Sequence, residues 1–572
     1  MKTEKESKLR LAKLREAYES ALLAREEYAS EMEKHLKQYM GSPEIDGSAE
    51  SAGTVRNVTY EIIESEISSD IPHPKVEPAS YSESREHNAR SVERLCSSVR
   101  SRLPFEEMND RDERYTYIFG GSVWYVEWDG SVSEDSVLGG IKIHCISPLD
   151  FIPQPGIHEI QNMDYCFLRF TATKGEIAAK YGISEEKLEL CECEYEWGGD
   201  SASDTVSVVV AFYRDEDGEV GKLVFSGELV LCDLPRYYKR RIKLCKRCGK
   251  PYSSCLCGGE TEEVELEFER IVDKSGAAAL VPYYTPREFP IILRKNTPGV
   301  PSLFGSSDCG RIRPEQQAIN KIETRILQKL LRAGVTPVMP EGASVTLSNA
   351  VFGQVIKTRP GESLDSYGKI DTTPDVSQDI AEADRLYDHA RRIVGITDAL
   401  TGGGSSKSES GFAMQLKISQ SSSRLESKRR MKYLAYSEIY RMIFTHYLAF
   451  ADEARVLDYK DAFGTVHSAE FRRSDFITED GDGGYRYDDG YLFSVDLNSG
   501  TLYSSEELWE KNLRNLTEGT LGDKDNPATL LRYWQSQERA GYPYARENVE
   551  YFKDIIEKEA GKQQLYGKET TI

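Results

Sequence analysis

Ile312-Arg-Pro-Glu-Gln-Gln-Ala-Ile-Asn-Lys-Ile-Glu-Thr-Arg-Ile-Leu-Gln-Lys-Leu-Leu-Arg-Ala-Gly334 carries two stripes. Ala318, Ile319, Ile322, Ile326, Leu330 and Ala333 recur at helical spacing, and Lys321, Arg325, Lys329 and Arg332 form a second row roughly 100° around the axis at about 3.6 residues per turn. The pattern predicts a helix that begins after Pro314, packs on one face, is basic on the other and stops at Gly334. Val335 to Pro374 follows with short β-like pieces broken by Gly342, Gly353, Pro360, Gly361 and Pro374, which suits a compact β-rich excursion. A second helix, Val376 to Val394, is expected to bury Ile380, Leu386, Ala390 and Ile393 and to bring the chain back.

Next comes Thr401, Gly402, Gly403, Gly404, Ser405, Ser406 and Lys407, continuing Ser-Glu-Ser-Gly411, a string too rich in Gly and Ser to order as helix or strand. From Phe412 to about Ala449 the chain reads as one very long helix with a basic block at Lys428, Arg429, Arg430 and Lys432. Such length suits a scaffold element.

Upstream, residues 4 to 40 place Leu11, Leu14, Tyr18, Leu22, Tyr28, Met32, Leu36 and Tyr39 at spacings of mainly three and four, predicting a long amphipathic helix. Gly41 to Gly53 reads as a linker. Val58 to Ile67 reads as a short helix ended by Pro72, Pro74 and Pro78. Residues 115 to 171 alternate apolar and polar side chains, as at Tyr117, Phe119, Val123, Tyr125, Ile141 and Ile143, and are expected to be strands. Val206 to Phe212 and Lys222 to Leu231 flank Asp215-Glu-Asp-Gly218, a hairpin signal, and sheet continues to about Leu293. Strands near Tyr485 to Val495 and helices near 505–518, 527–540 and 544–560 close an α+β chain without internal repeats.

The bulk numbers exclude several classes. With 572 residues, roughly three or four domain-sized units are expected. A composition of 39% hydrophobic and 29% charged residues, with no apolar run of about 18, predicts an ordinary soluble chain and no membrane span. Met1 to Arg15 is charged from the start and lacks the apolar core of a signal peptide, so synthesis in a cytoplasm is expected. The formal charge of -22 opposes a protein that wraps nucleic acid over its whole surface, yet suits a wall past which DNA slides without sticking.

Eleven scattered cysteines do not form the dense framework of a small secreted domain. Four of them do cluster. Cys245-Lys-Arg-Cys248-Gly249 and Cys255-Leu-Cys257-Gly258 place four sulfurs within thirteen residues, each pair followed by glycine. Structural Zn²⁺ wants four such ligands in a tetrahedron; a redox or disulfide cluster and plain thiols are the alternatives. With every ligand a protein sulfur, no position is open for catalysis. Lys239 to Arg247 is basic, which leaves open a zinc-ribbon nucleic-acid-binding protein as a second reading. Cys191 and Cys193 are either isolated thiols or further ligands. Gly402 to Ser408 fails as a phosphate-binding loop, because Ser406 stands before Lys407 and a helix, not a strand, precedes it. Asp480-Gly-Asp-Gly-Gly484 lacks the distal Glu of a calcium loop, and no HExxH or Gly-x-Ser-x-Gly occurs, so no enzyme chemistry is supported.

The element order resembles the portal proteins of tailed bacteriophages, and three segments support the likeness. They are Asn57-Val-Thr-Tyr-Glu-Ile-Ile-Glu64 running on to Ile71-Pro-His-Pro-Lys-Val76; Phe304-Gly-Ser-Ser-Asp308 with Ile312-Arg-Pro-Glu-Gln-Gln-Ala-Ile-Asn320; and Ser410-Gly-Phe-Ala413. The likeness covers roughly residues 55 to 560. The N-terminal helix and linker of residues 1–54, and the cysteine cluster, depart from the family pattern. The resemblance implies a wing at 55–300 with a cysteine insertion at 240–260, a first stem helix at 301–334, a clip at 335–376 and a second stem helix at 377–395. A tunnel loop at 396–411, a long helix with wing strands at 412–504 and a helical crown and tail at 505–572 would follow. It implies a twelve-subunit ring at one capsid vertex of the virion, through which double-stranded DNA is packaged and ejected. The partners implied are large terminase, head-completion or tail adaptor proteins, and the major capsid and scaffolding proteins. In that reading Thr401 to Lys407 reach toward DNA, with Lys407 touching phosphate. Lys321, Arg325, Lys329 and Arg332 either line the channel or pair with acidic residues of the neighbouring subunit.

Overall fold

The computed structural model describes residues 2–42, 56–134, 137–184, 187, 191, 205–248, 255, 257, 260–272, 278–297, 302–331, 335–338, 346–350, 353–357, 365, 368–371, 374–396, 411–460, 466–479, 484–495, 505–539 and scattered positions from 542 to 558. They form a mixed α+β chain with several small antiparallel sheets. The chain divides into two compact units, one built from residues 1–30, 67–306 and 422–572, the other from 31–66 and 307–421. No helix among the described residues is long and apolar enough to cross a membrane.

In the larger unit the main core gathers around the C-terminal half of the helix Gly411–Phe450, where Tyr436, Ile439, Tyr440, Ile443, Phe444, Tyr447 and Leu448 are buried. From Met442 to Ala449 every residue is buried, as expected of a helix enclosed on all faces, while Leu434 and Glu438 leave an exposed strip before it. Against it pack the helices Glu83–Arg102 and Phe105–Phe119 and a three-stranded sheet ordered Ile291–Lys295, Gly121–Glu134, Val137–Ile146. Short antiparallel pairs join Pro74–Pro78 to Tyr491–Val495 and Arg455–Lys460 to Val466–Phe471.

A five-stranded antiparallel sheet runs Phe151–Pro153, Tyr165–Thr173, Thr205–Arg214, Val220–Ser226, Leu229–Leu234, each strand beside its sequence neighbour. The hairpin expected at Asp215-Glu-Asp-Gly218 is present, and Gly218 supplies the positive φ of +77° that the turn needs. One face of this sheet, at Ile152, Phe167, Leu223 and Phe225, covers Leu11, Leu14 and Ala21 of the helix Lys2–Tyr39.

Two expectations are corrected here. Tyr117 and Phe119 do not begin a strand; they end the helix Phe105–Phe119, which terminates at Gly120 in the left-handed region with φ +91°. The sheet starts only after it, with Val123 and Tyr125 in Gly121–Glu134. The helical stripe there is Phe105, Met108, Asn109, Asp112, Glu113, Thr116 and Tyr117, all buried. Charged residues occupy core positions in that stripe, which hides its period. The sequence reading also places no helix at Glu83–Arg102, although Ala89, Val92, Leu95, Cys96 and Val99 are its buried row and Ser82 caps it by accepting from the Arg85 N–H.

The smaller unit is an antiparallel helical hairpin interrupted by β structure. The helix Asp308–Leu331 leads to strands Val335–Val338, Thr346–Ala350, Gly353–Lys357 and Gly368–Asp371, and the helix Ser377–Val394 returns. The second and third of these strands pair as a hairpin inside the pairing of the first and fourth. The core is Val58, Ile62, Ile312, Ile319, Ala390, Val394 and Ile396.

The first helix starts at Asp308 rather than after Pro314, which lies inside it. Pro314 forfeits one amide donor. The early turns are held instead by Ser307, whose Oγ accepts from the Gly310 N–H at 3.1 Å, and by the buried Cys309 and Ile312. Ile380 is not buried but 47% exposed. Ala390 is buried as expected, but the buried row of its helix opens at Asp379 and runs through Ala383 to Val394, with Leu386 and Ile393 half-buried beside it. The apolar stripe of the first helix likewise opens at its end, where Leu330 is 50% exposed.

Candidate metal centre

Strands Arg240–Cys245 and Thr261–Leu266 pair antiparallel, with Cys245 opposite Thr261, and the Lys246 N–H donates to the Glu260 carbonyl at 2.8 Å just beyond them. The two ends of the cysteine segment are thereby brought side by side. Chain direction reverses at residues 246–248, where the CxxC spacing turns Cys248 back toward Cys245. The Sγ atoms of Cys245, Cys248, Cys255 and Cys257 all lie within 4.8 Å of one another. Cys245 and Cys257 are 3.2 Å apart, Cys255 and Cys257 3.2 Å, and Cys248 and Cys255 3.4 Å.

Tetrahedral zinc with Zn–S bonds of about 2.3 Å places its sulfurs about 3.8 Å apart. Three of the separations are about 0.4 to 0.6 Å shorter than that and none exceeds 4.8 Å, so a small outward movement of the sulfurs lets the four hold a metal ion such as zinc. Cys245 is buried at the base of the tip, Cys255 is half-buried, and Cys248 and Cys257 are exposed. A hydrogen bond with the Cys257 thiol and the backbone N–H groups of Cys248 and Arg247 pull the Cys245 thiol down to about 6. It is therefore largely thiolate, the form that ligates metal, at neutral pH. Among the described residues this is the only group of three or more His, Cys, Asp or Glu side chains arranged to hold an ion.

Four basic residues near the tip pair with carboxylates. Arg240 pairs with Asp452, Arg241 lies 3.6 Å from Glu265, Lys246 lies 3.4 Å from Glu260, and Arg236 lies 3.1 Å from Asp217. Cys191 is buried in a bend, and Cys193 lies outside the described residues.

The remaining sequence-derived residues divide. Thr401 to Lys407, and Arg332, lie outside the described residues. Lys321 is exposed on the helix Asp308–Leu331. Arg325 and Lys329 both reach Asp379 on the helix Ser377–Val394; the Lys329 contact is 2.5 Å, and the partner carboxylate is buried. Sequence reasoning missed Asp379 because its partners lie 50 and 54 positions away.

It also missed a buried charge network in the larger unit. Arg294 donates to Asp112 and, at 2.7 Å, to Glu113; Lys432 lies 3.1 Å from Glu113; and Trp124 Nε1 donates to Asp112 at 2.8 Å. Burial alone would raise the Glu113 carboxyl, but Arg294 and Lys432 outweigh it and hold it below its ordinary value. Half of the expected basic block of the long helix thus points inward, since Lys428 and Lys432 are both buried.

No family model matches the chain, and no curated protein matches it.

Proposed function

We propose that the chain is the subunit of a phage portal ring and has no catalytic activity of its own. The observation that carries this reading is the smaller unit: two antiparallel helices with a β excursion between their inner ends, after which the chain enters a 40-residue helix at Gly411. In this reading the helices Asp308–Leu331 and Ser377–Val394 are the stem, the four short strands between them the clip, and residues 396–411 the loop that meets DNA. Double-stranded DNA passes through the ring; terminase and tail adaptors dock on the clip, and capsid and scaffolding proteins surround the rest.

One feature supports a ring rather than a globular monomer. The stem hairpin leaves Leu327, Leu330, Leu331 and Ile380 exposed at the end where the β excursion begins, a surface suited to neighbours. The basic row is partly spent inside the subunit: Arg325 and Lys329 pair with Asp379 of their own chain rather than with a neighbour's carboxylate.

The four thiolates at 245–257 hold a structural zinc ion in this proposal, a staple for the loop between two strands too short to fix it themselves. The pairing of Arg240 and Arg241 with Asp452 and Glu265 speaks against the zinc-ribbon nucleic-acid reading. Native mass and electron micrographs of the purified protein test the function. A particle of roughly 780 kDa, twelve times the 64.6 kDa chain, with a central hole is expected. A monomer or dimer that binds DNA tightly at low salt would overturn it.

A further inference from the structure

The thiols of the tip meet in pairs across the loop. Cys245 faces Cys257 at 3.2 Å and Cys248 faces Cys255 at 3.4 Å, so each half of the segment contributes one sulfur to each pair. Cys255 and Cys257 are also 3.2 Å apart, but joining them would close a cramped ring over one residue and leave Cys245 to Cys248. Each cross-loop pair contains one exposed sulfur, Cys257 in the first and Cys248 in the second, and one less accessible partner. An exposed sulfur that an oxidant can reach first, beside a shielded one that then resolves it, is the arrangement from which disulfides form.

We propose that the tip is a disulfide-forming site. In contact with hydrogen peroxide, its four thiolates become the disulfides Cys245–Cys257 and Cys248–Cys255 and release the bound ion. In each pair the exposed thiolate attacks the peroxide O–O bond, becoming a sulfenic acid, and the departing hydroxide takes up a proton to leave as water. The partner thiolate then attacks the sulfenic sulfur; the S–S bond forms, and the sulfenic oxygen leaves as a second water after protonation. Over both pairs, four thiolates lose four electrons to two hydrogen peroxide molecules, four protons are consumed, and four waters and the free ion are produced.

The proposal rests on the metal reading of the same four residues, and it gives that site two closed states. An ion pins the loop in reducing surroundings, and two covalent bonds pin it in oxidising ones. A subunit made in a reducing cytoplasm and later carried in an extracellular particle would pass from one to the other.

The full-length protein tests it. Metal content is measured first; hydrogen peroxide is then added beside a chromogenic chelator, remaining thiols are blocked with N-ethylmaleimide, and the digest is mapped by mass spectrometry. One ion released per two disulfides, with peptides joined as 245 to 257 and 248 to 255, is the expected result. Pairing of 245 with 248, or thiols ending as sulfinic and sulfonic acids, overturns the proposal. Protein that arrives without metal but pairs its thiols as stated refutes the metal reading alone. In Cys257→Ser, the Cys248–Cys255 bond is expected to form while Cys245 takes up the blocking reagent; loss of both bonds would show that the pairs do not act independently.

Discussion

Replacing Arg294 by methionine tests the buried network that joins the helix Phe105–Phe119, the strand Ile291–Lys295 and the helix Gly411–Phe450. Two carboxylates, Asp112 and Glu113, are there balanced by two cations, Arg294 and Lys432, and the side chains are no more than 3% exposed. Methionine fills similar space, so the packing cost is small, but one negative charge is left without compensation. Breaking a buried pair in this way costs about 3–5 kcal/mol. With a urea dependence of about 3 kcal/mol per molar, the unfolding midpoint should fall by about 1 to 1.7 M. Tryptophan fluorescence reports the transition, since Trp124 donates to Asp112 inside the network. Adding Asp112→Asn to Arg294→Met leaves Glu113 and Lys432 as a neutral pair, so the double variant should unfold later than the single one. A single variant within about 0.3 M of wild type, or a double variant less stable than Arg294→Met, would refute the reasoning.

Three further outcomes are expected. Burial pushes His446 down to about 4, while its Nδ1–H donates to the Met442 carbonyl and Lys222 and Glu127 act on it from the sheet side. Its folded value is below the unfolded one of about 6.5, so the contribution is complete above pH about 6.5 and is lost as pH falls toward 4, about 3 kcal/mol in all; His446→Phe should flatten the denaturation midpoint over that window. If the four thiolates hold zinc as proposed, Cys248→Ser should abolish that metal binding and the slow amide exchange of strands Arg240–Cys245 and Thr261–Leu266, as read by metal analysis and hydrogen exchange, while Trp124 fluorescence stays as in wild type. Asp379→Asn should lower the thermal midpoint of the helical hairpin, and added salt should narrow the gap to wild type, because Arg325 and Lys329 lose a charged partner.

Most elements whose inward faces are apolar were legible from residue order; the helix Glu83–Arg102, with its apolar row Ala89, Val92, Leu95, Cys96 and Val99, could have been read in the same way and was missed. The helix Lys2–Tyr39, the hairpin around Gly218, the paired helices with strands between them and the helix Gly411–Phe450 each declare themselves by local period or turn chemistry, and so does the four-cysteine segment, whose ligands lie within one short stretch. The helix Phe105–Phe119 did not, because Asp112 and Glu113 sit where a pattern reader looks for apolar side chains. Their burial makes sense only once Arg294, 181 and 182 positions away, and Lys432 are folded against them. The fate of the basic row was hidden for the same reason: Arg325 and Lys329 are cations in any sequence, and only the returning helix decides that Asp379 receives both. Residue order therefore determined what depends on neighbours three or four positions apart, or on a ligand set carried in one loop. Tertiary structure decided which charges are solvated and which are paired, because the electrostatic cost of burying an ion is set by what the fold brings beside it.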